Sequence, residues 1–317
     1  MSDYRMIPPG IWKSHAPDGR TIYVMPGPPG IGTGKYQAMH DIIEDPQSNQ
    51  ERRPGELSLQ TADTLHILNE NCVRNRKMGE MEDWRQLWGR ESGKICLLVS
   101  CGPSLTDSVQ EIAELAKDKE KYFTLGINRA LKAIDLDYFV CLDRRAQLDW
   151  VDRDTGSCVL IAATTAANHV AKRFERRYWG ETFLANTDEG NAPIRTGLCI
   201  TLCDAMHAAY KMGAEEIWLY GCDFGMSGVT KPDRQGQDQY QLEKYYFDLP
   251  SYVGLGIRPE SLRELQPVYQ GGALSFINYE LWAYACYATV MACMIEESGG
   301  VPVKNKTPGG LMTWGQE

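Results

Sequence analysis

Between residues 94 and 223 short apolar runs alternate with stretches whose apolar positions recur at helical spacing, and this alternation restricts the fold most sharply. The runs fall at residues 94–100, 122–128, 138–143, 158–162 and 216–223. Short, continuously apolar runs suit strands buried on both faces, as in a parallel sheet. Helical patterns lie between them at 104–117, where Ser104 and Thr106 are candidate caps, and at 200–212. Strands alternating with helices predict right-handed βαβ units, hence an α/β protein whose parallel sheet is flanked by helices.

Around this core the character changes. Residues 1–60 are rich in Pro and Gly and predict an irregular extension with one strand at 21–25. Residues 56–90 carry Leu57, Leu59, Leu65, Ile67 and Leu68 at helical spacing, then a stretch from Trp84 to Trp88, and read as a helical lead-in. Residues 226–275 are polar and too long for an ordinary loop, which predicts a lid or small insertion. A last helix at 276–297 precedes a Gly- and Pro-rich closing segment. The expected division is 1–90 as an irregular then helical extension, 91–225 as the α/β core, 226–275 as the lid, and 276–317 as a helix and closing strand packed on the core.

The 317 residues suffice for one large domain with appendages or for two domains. A net charge of −9 gives nucleic acid and anionic membranes no general attraction. No apolar run approaches the roughly 20 residues that span a bilayer. The first residues lack the basic flank and apolar stretch of a secretory signal. Ten cysteines lie mainly in apolar stretches with no C-x-x-C pair, the pattern of buried reduced thiols, and predict a cytoplasmic protein. A homo-oligomer is compatible with all of this.

One segment imitates a phosphate-binding loop. Gly27-Pro28-Pro29-Gly30-Ile31-Gly32-Thr33-Gly34-Lys35-Tyr36 has Pro29 where the motif needs Gly, and Tyr36 where a hydroxyl would hold magnesium. Proline also removes an N–H from a loop that works by presenting them. The segment reads as a Gly/Pro turn.

The chemistry is expected beyond the carboxyl ends of the strands, where open α/β sheets place ligands. Cys101-Gly102-Pro103-Ser104 follows the first run; Gly102 would let backbone approach a ligand, and Ser104 would open a helix whose free N–H groups suit a phosphate. Asn128 ends the second run, with an amide able to read a ribose or a base edge. Asp143 ends the third, followed by Arg144 and Arg145. Thr196-Gly197 heads the long helix, and Asp223 closes the strongest strand. Cys203 and His207, one helical turn apart, read as packed helix residues rather than metal ligands, and no metal site is predicted. Lys172, Arg173, Arg176 and Arg177 read as a basic helical face.

The segments Cys101-Gly102-Pro103-Ser104-Leu105, Asn128, residues 137–143, Thr196-Gly197 and Gly221-Cys222-Asp223-Phe224 together resemble one superfamily. It comprises archaeal 6-hydroxymethyl-dihydropterin diphosphokinase-like proteins, flagellin-modifying motility accessory factors and CMP-sialic-acid-dependent bacterial sialyltransferases. Residues 305–310 are similar to the closing Asn-x-Thr segment of the diphosphokinase-like branch. The resemblance covers about residues 94–225 and the closing segment.

It implies a Rossmann-like transferase in which Cys101, Gly102, Pro103, Ser104, Asn128, Thr196 and Gly197 meet the nucleotide. Asp143 and Asp223 then lie near the ribose, the phosphates or a metal, as candidate catalytic groups. The sialyltransferases place a histidine base after the Gly-x-Asp-Phe strand. Here all five histidines (His15, His40, His66, His169 and His207) precede it. Tyr240, Tyr245 and Tyr246 stand in that region and correspond to lid tyrosines that hold a leaving phosphate, Tyr245 and Tyr246 being the catalytic candidates. The expected function is glycosyl transfer from a CMP- or UDP-type nucleotide sugar to a hydroxyl acceptor. Alternatives are diphosphoryl transfer from ATP with Mg2+ held by the two aspartates, and a nucleotide-binding scaffold without chemistry.

Overall fold

The computed structural model describes residues 5–8, 10–15, 21–26, 36–40, 62–102, 104–144, 146, 154–180, 194, 200–224, 226–232, 238–243, 266–270, 273–277, 279–308 and 310–316. Four antiparallel strands come first: β1 (Arg5–Ile7), β2 (Ile11–His15), β3 (Thr21–Pro26) and β4 (Tyr36–His40), paired in that order. After helix α1 (Ala62–Arg76) the chain enters a central sheet through β5 (Glu82–Asp83), β6 (Ile95–Val99), β7 (Tyr122–Ile127), β8 (Tyr138–Cys141), β9 (Val159–Ala163), β10 (Arg177–Gly180) and β11 (Glu216–Tyr220). The helices between them are α2 (Leu105–Leu115), α3 (Ala130–Ala133), α4 (Asn168–Ala171) and α5 (Thr201–Lys211). A third sheet holds β12 (Met226–Pro232), β13 (Asp238–Glu243), β14 (Gln266–Gln270) and β15 (Ala273–Ile277), and is antiparallel throughout. Helix α6 (Tyr279–Glu297) then leads to β16 (Val303–Asn305), the eighth strand of the central sheet.

The central sheet runs β16-β11-β6-β7-β8-β9-β10-β5 and every pairing in it is parallel. This is the Rossmann-like α/β fold that alternating strands and helices require. Its middle is apolar on both faces: Cys96 to Val99, Tyr122 to Ile127 and Val159 to Ala163 are all buried. Helix α5 lies across β6, β7, β8 and β11 and packs on α6. Helix α6 is apolar around its circumference, with Ala283, Ala285, Ala288 and Ala292 fully buried; small residues let neighbours approach on every side. It also touches β3, where Tyr23 donates to Glu297 at 3.2 Å, and Lys13 of β2 pairs with the same carboxylate.

The strand order creates a switch point. From β6 the chain builds outward through β7, β8, β9 and β10, then returns to place β11 on the other side of β6. Connections leaving neighbouring strands in opposite directions open a crevice at their carboxyl ends, the usual ligand position of such sheets.

Two expectations need correction. Among the described residues of 1–60 there are four strands where one was expected; short antiparallel strands in Pro- and Gly-rich sequence carry little periodic signal, because β preference is set by packing context. The lookalike at 27–36, by contrast, is in keeping with the turn expected there: it stands between β3 and β4, whose ends pair antiparallel at Pro26 and Tyr36. Lys172, Arg173, Arg176 and Arg177 do not share a helical face: α4 ends at Ala171 and Arg177 begins β10.

Candidate functional site

At the switch point Val99 of β6 is in register with Tyr220 of β11, and the ladder continues past both strands. Ser100 N–H donates to the Tyr220 carbonyl and Gly102 N–H to the Gly221 carbonyl, each at 2.8 Å. Ser104 precedes the first turn of α2. Its N–H donates to Asp223 Oδ1 at 3.2 Å and its hydroxyl to Oδ2 at 2.8 Å. The carboxylate thus occupies the start of α2, where unpaired N–H groups and the helix dipole favour an anion.

Gly102 makes this contact sterically feasible. A Cβ there would stand 2.1 Å from Asp223 Oδ2 and 2.6 Å from the Gly221 carbonyl oxygen. The close approach expected between Gly102 and a ligand is made instead by the protein's own carboxylate, and Ser104 bonds to Asp223. Burial pushes the Asp223 carboxyl up to about 6; the bonds from Ser104 oppose this and nearby Asp107 adds to it. Cys222, next in the chain, is buried, as is Cys101, and burial, then Asp223 and Cys101, hold the Cys222 thiol well above its ordinary range.

The segment after β16 closes the other side. Thr307 Oγ1 accepts the Cys222 N–H at 2.9 Å, and Leu311 N–H donates to the Asp223 carbonyl at 3.1 Å. Asn305 holds the segment's own shape: its amide donates to the Met312 carbonyl at 2.7 Å and its Oδ1 accepts the Thr307 N–H at 3.1 Å. The Asn-x-Thr likeness carried no role in the sequence; in the fold it ties the closing segment to the Gly221–Phe224 turn.

Asn128 lies just beyond β7 with φ +54°, and Phe224 has φ +51°; among the described residues these are the non-glycine positions with positive φ. Both stand at strand ends on the crevice edge, where such backbone strain commonly gathers. Arg129, next in the chain, is 2% exposed. Asp143 lies two residues past β8, and its carbonyl accepts the Ala167 N–H at 3.1 Å. Burial, then Asp143, pushes the neighbouring Cys141 thiol up to about 12.

Residues of α1 complete this part of the edge, and sequence reasoning missed them. The Asn75 amide donates to the carbonyls of Thr164 and Ala166, each at 2.9 Å, while its oxygen accepts from Asn168 at 2.8 Å. The Asn71 amide donates to the carbonyls of Arg144 at 3.0 Å and Thr165 at 3.2 Å, joining the turns after β8 and β9. Two buried asparagines four residues apart on one helix face were the available signal.

Strands β11, β6, β7 and β8 are consecutive neighbours, so Asp223, Ser104, Asn128 and Asp143 leave adjacent strand ends on one edge. Three inter-strand spacings, about 14 Å, separate the strands that carry Asp223 and Asp143. Pro103, Thr196, Gly197, Tyr245 and Tyr246 lie outside the described residues; Tyr240 falls within β13. Among the described residues no three His, Cys, Asp or Glu side chains group as a metal site. Cys203 and His207 are buried on α5, with the His207 ring 6.1 Å from that of Trp84. Among the described residues no helix is long and apolar enough to cross a membrane.

A family model for 6-hydroxymethylpterin diphosphokinase MptE-like proteins matches residues 68–229. That stretch begins inside α1 and runs through β11 into β12. Among solved structures the chain is similar to the MAf glycosyltransferase from Magnetospirillum magneticum AMB-1, with a TM-score of 0.57 and 15% identity. The likeness covers 84% of this chain but only 40% of that one, and at this identity it is a likeness of fold. No curated protein matches the chain.

Proposed function

The chain belongs to the 6-hydroxymethylpterin diphosphokinase MptE-like family, and from that premise we propose that it is a transferase acting on a nucleotide-activated donor bound at the β6/β11 crevice. Glycosyl transfer from a CMP- or UDP-type nucleotide sugar to a hydroxyl acceptor is the reading we favour. The observation that carries it is the Ser104–Asp223 contact at the switch point, with a carboxyl near 6. A group of that basicity accepts a proton from an acceptor hydroxyl near neutral pH. Asp223 is therefore assigned as the base and Ser104 as the group that holds it.

With the start of α2 given to Asp223, the donor phosphates fall to Asn128 and to Thr196-Gly197 ahead of α5. Cys101 and Gly102 form the β6 side of the crevice, Pro103 is assigned with them to the nucleotide, and Asp143 meets the ribose. Tyr245 and Tyr246 are assigned to the leaving phosphate, where donors to developing charge lower the barrier most.

A second reading, diphosphoryl transfer from ATP, draws on the family's description. Mg2+ bound through the ATP phosphates needs one or two protein carboxylates, and Asp143 would supply one, since Ser104 already engages Asp223. Strands about 14 Å apart do not favour both holding the same ion.

Thermal unfolding with CMP, UDP, GDP and ATP, each with and without Mg2+, separates the readings. We expect a CMP- or UDP-type ligand to raise Tm without Mg2+. An ATP response that needs Mg2+ would transfer the assignment to the second reading, and a folded protein indifferent to all of them would retire both. Asn128→Gly keeps the positive φ at no steric cost and deletes the amide. It should weaken the responding nucleotide about tenfold, the equivalent of one lost hydrogen bond; unchanged affinity removes Asn128 from the site.

A further inference from the structure

We infer that Thr307, set by Asn305, is a positioning residue for Asp223, so that the closing segment after β16 belongs to the functional machinery. The role given to Asp223 rests on the transferase reading; the positioning itself rests on geometry. Asp223 is linked through its side chain to Ser104 and through its backbone to the closing segment. Thr307 Oγ1 takes the N–H of the preceding residue, Cys222, and Leu311 N–H reaches the Asp223 carbonyl. Gly310, at φ +90°, lies against the same peptide: a Cβ there would come 3.0 Å from the Asp223 carbonyl oxygen and 3.2 Å from its Cα.

Thr307 is in turn fixed by the Asn305 Oδ1, and the Asn305 amide shuts the turn at Met312. Asn305, Thr307 and Met312 are all buried, so this arrangement has few alternatives. Lys306, between the two polar residues, donates its N–H to the Leu219 carbonyl of β11 and carries its ammonium over the Trp218 ring. The segment therefore holds β11 and the turn beyond it as one unit. The path from Asn305 through Thr307 and Cys222 to Asp223 crosses about 80 residues of sequence but two hydrogen bonds. The titratable groups near Asp223 are Asp107 on α2 and the Cys222 thiol, which the Cys101 thiol approaches in turn.

The test compares Thr307→Val, which keeps the shape but loses the acceptor, with Thr307→Ser, which retains the hydroxyl. The readout is the change of Tm between pH 4 and 7, with Asp223→Asn as the reference for that carboxyl. Thr307→Val is expected to stay folded and to lose the pH step as Asp223→Asn does, because a loosened turn lets the carboxylate reach water. Thr307→Ser should keep the step, and affinity for the responding nucleotide should fall about tenfold in Thr307→Val only. A wild-type step in Thr307→Val overturns the inference. Should that variant fail to fold, Gly310→Ala presses on the Asp223 peptide with the Thr307 bond intact. It should shift the step by half a pH unit or more, and an unmoved step there overturns the inference as well. Absence of any nucleotide response in the wild-type protein would sink the transferase reading, while the pH step would still decide the positioning.

Discussion

At position 102 one methyl group decides whether Asp223 can reach Ser104. Gly102→Ala brings carbon to 2.1 Å from the carboxylate, so the Asp223 side chain or the turn must move. We expect a loss of about 1–3 kcal/mol, the usual cost of overpacking, measured by denaturant unfolding at pH 7. The pH dependence belongs to the same contact. The carboxyl stands near 6 in the folded protein, above the roughly 3.9 of an unfolded chain. The native state therefore holds this proton more tightly, and the stability it contributes is present below about pH 4 and lost as pH rises through about 6. Wild-type protein should lose Tm across that window while Asp223→Asn does not; parallel curves would show that Asp223 does not titrate there. Both residues were legible as strand-end polar groups. Their contact was not, because 119 positions separate them and nothing local links them.

Among the elements, α1 forms where its helical spacing predicts, but its part in the site was not legible. Periodicity shows only its apolar positions, whereas Asn75 is 1% exposed and bonds two carbonyls beyond β9. The family match also opens within this helix rather than at β6. Asn75→Leu would leave the Thr164 and Ala166 carbonyls and the Asn168 amide without their partner. Buried polar groups stripped of partners cost about 1–3 kcal/mol each, so we expect a loss of at least 2 kcal/mol. Amide exchange should quicken at residues 164–168, and unchanged protection there would show that α1 does not hold that turn. By contrast, α2, α5 and β6 to β9 lie within a few residues of where periodicity put them. Each is long or apolar enough for its own residues to declare it. The two-residue β5 and the four-residue β10 are not.

At the scale of the whole molecule, β16 covers the outer edge of β11 and its closing segment reaches the crevice. Deleting residues 303–316 would bare β11, which is apolar on one face, as an unpaired edge. The expected outcome is association beyond that of the full chain, with loss of the Asp223 pH step; an unchanged elution profile on size exclusion would show that β16 does not guard the edge. The sequence alone determined the α/β class, the positions of the inner strands and the polar residues that close them, since run length and periodicity are properties of neighbouring residues. Only the tertiary structure decided that β11 returns beside β6, that Asp223 fills the start of α2, and that Asn305, Thr307 and α1 secure the turns around it. Sheet order and side-chain contacts across a hundred residues depend on which surfaces are buried together, and no local pattern encodes that choice.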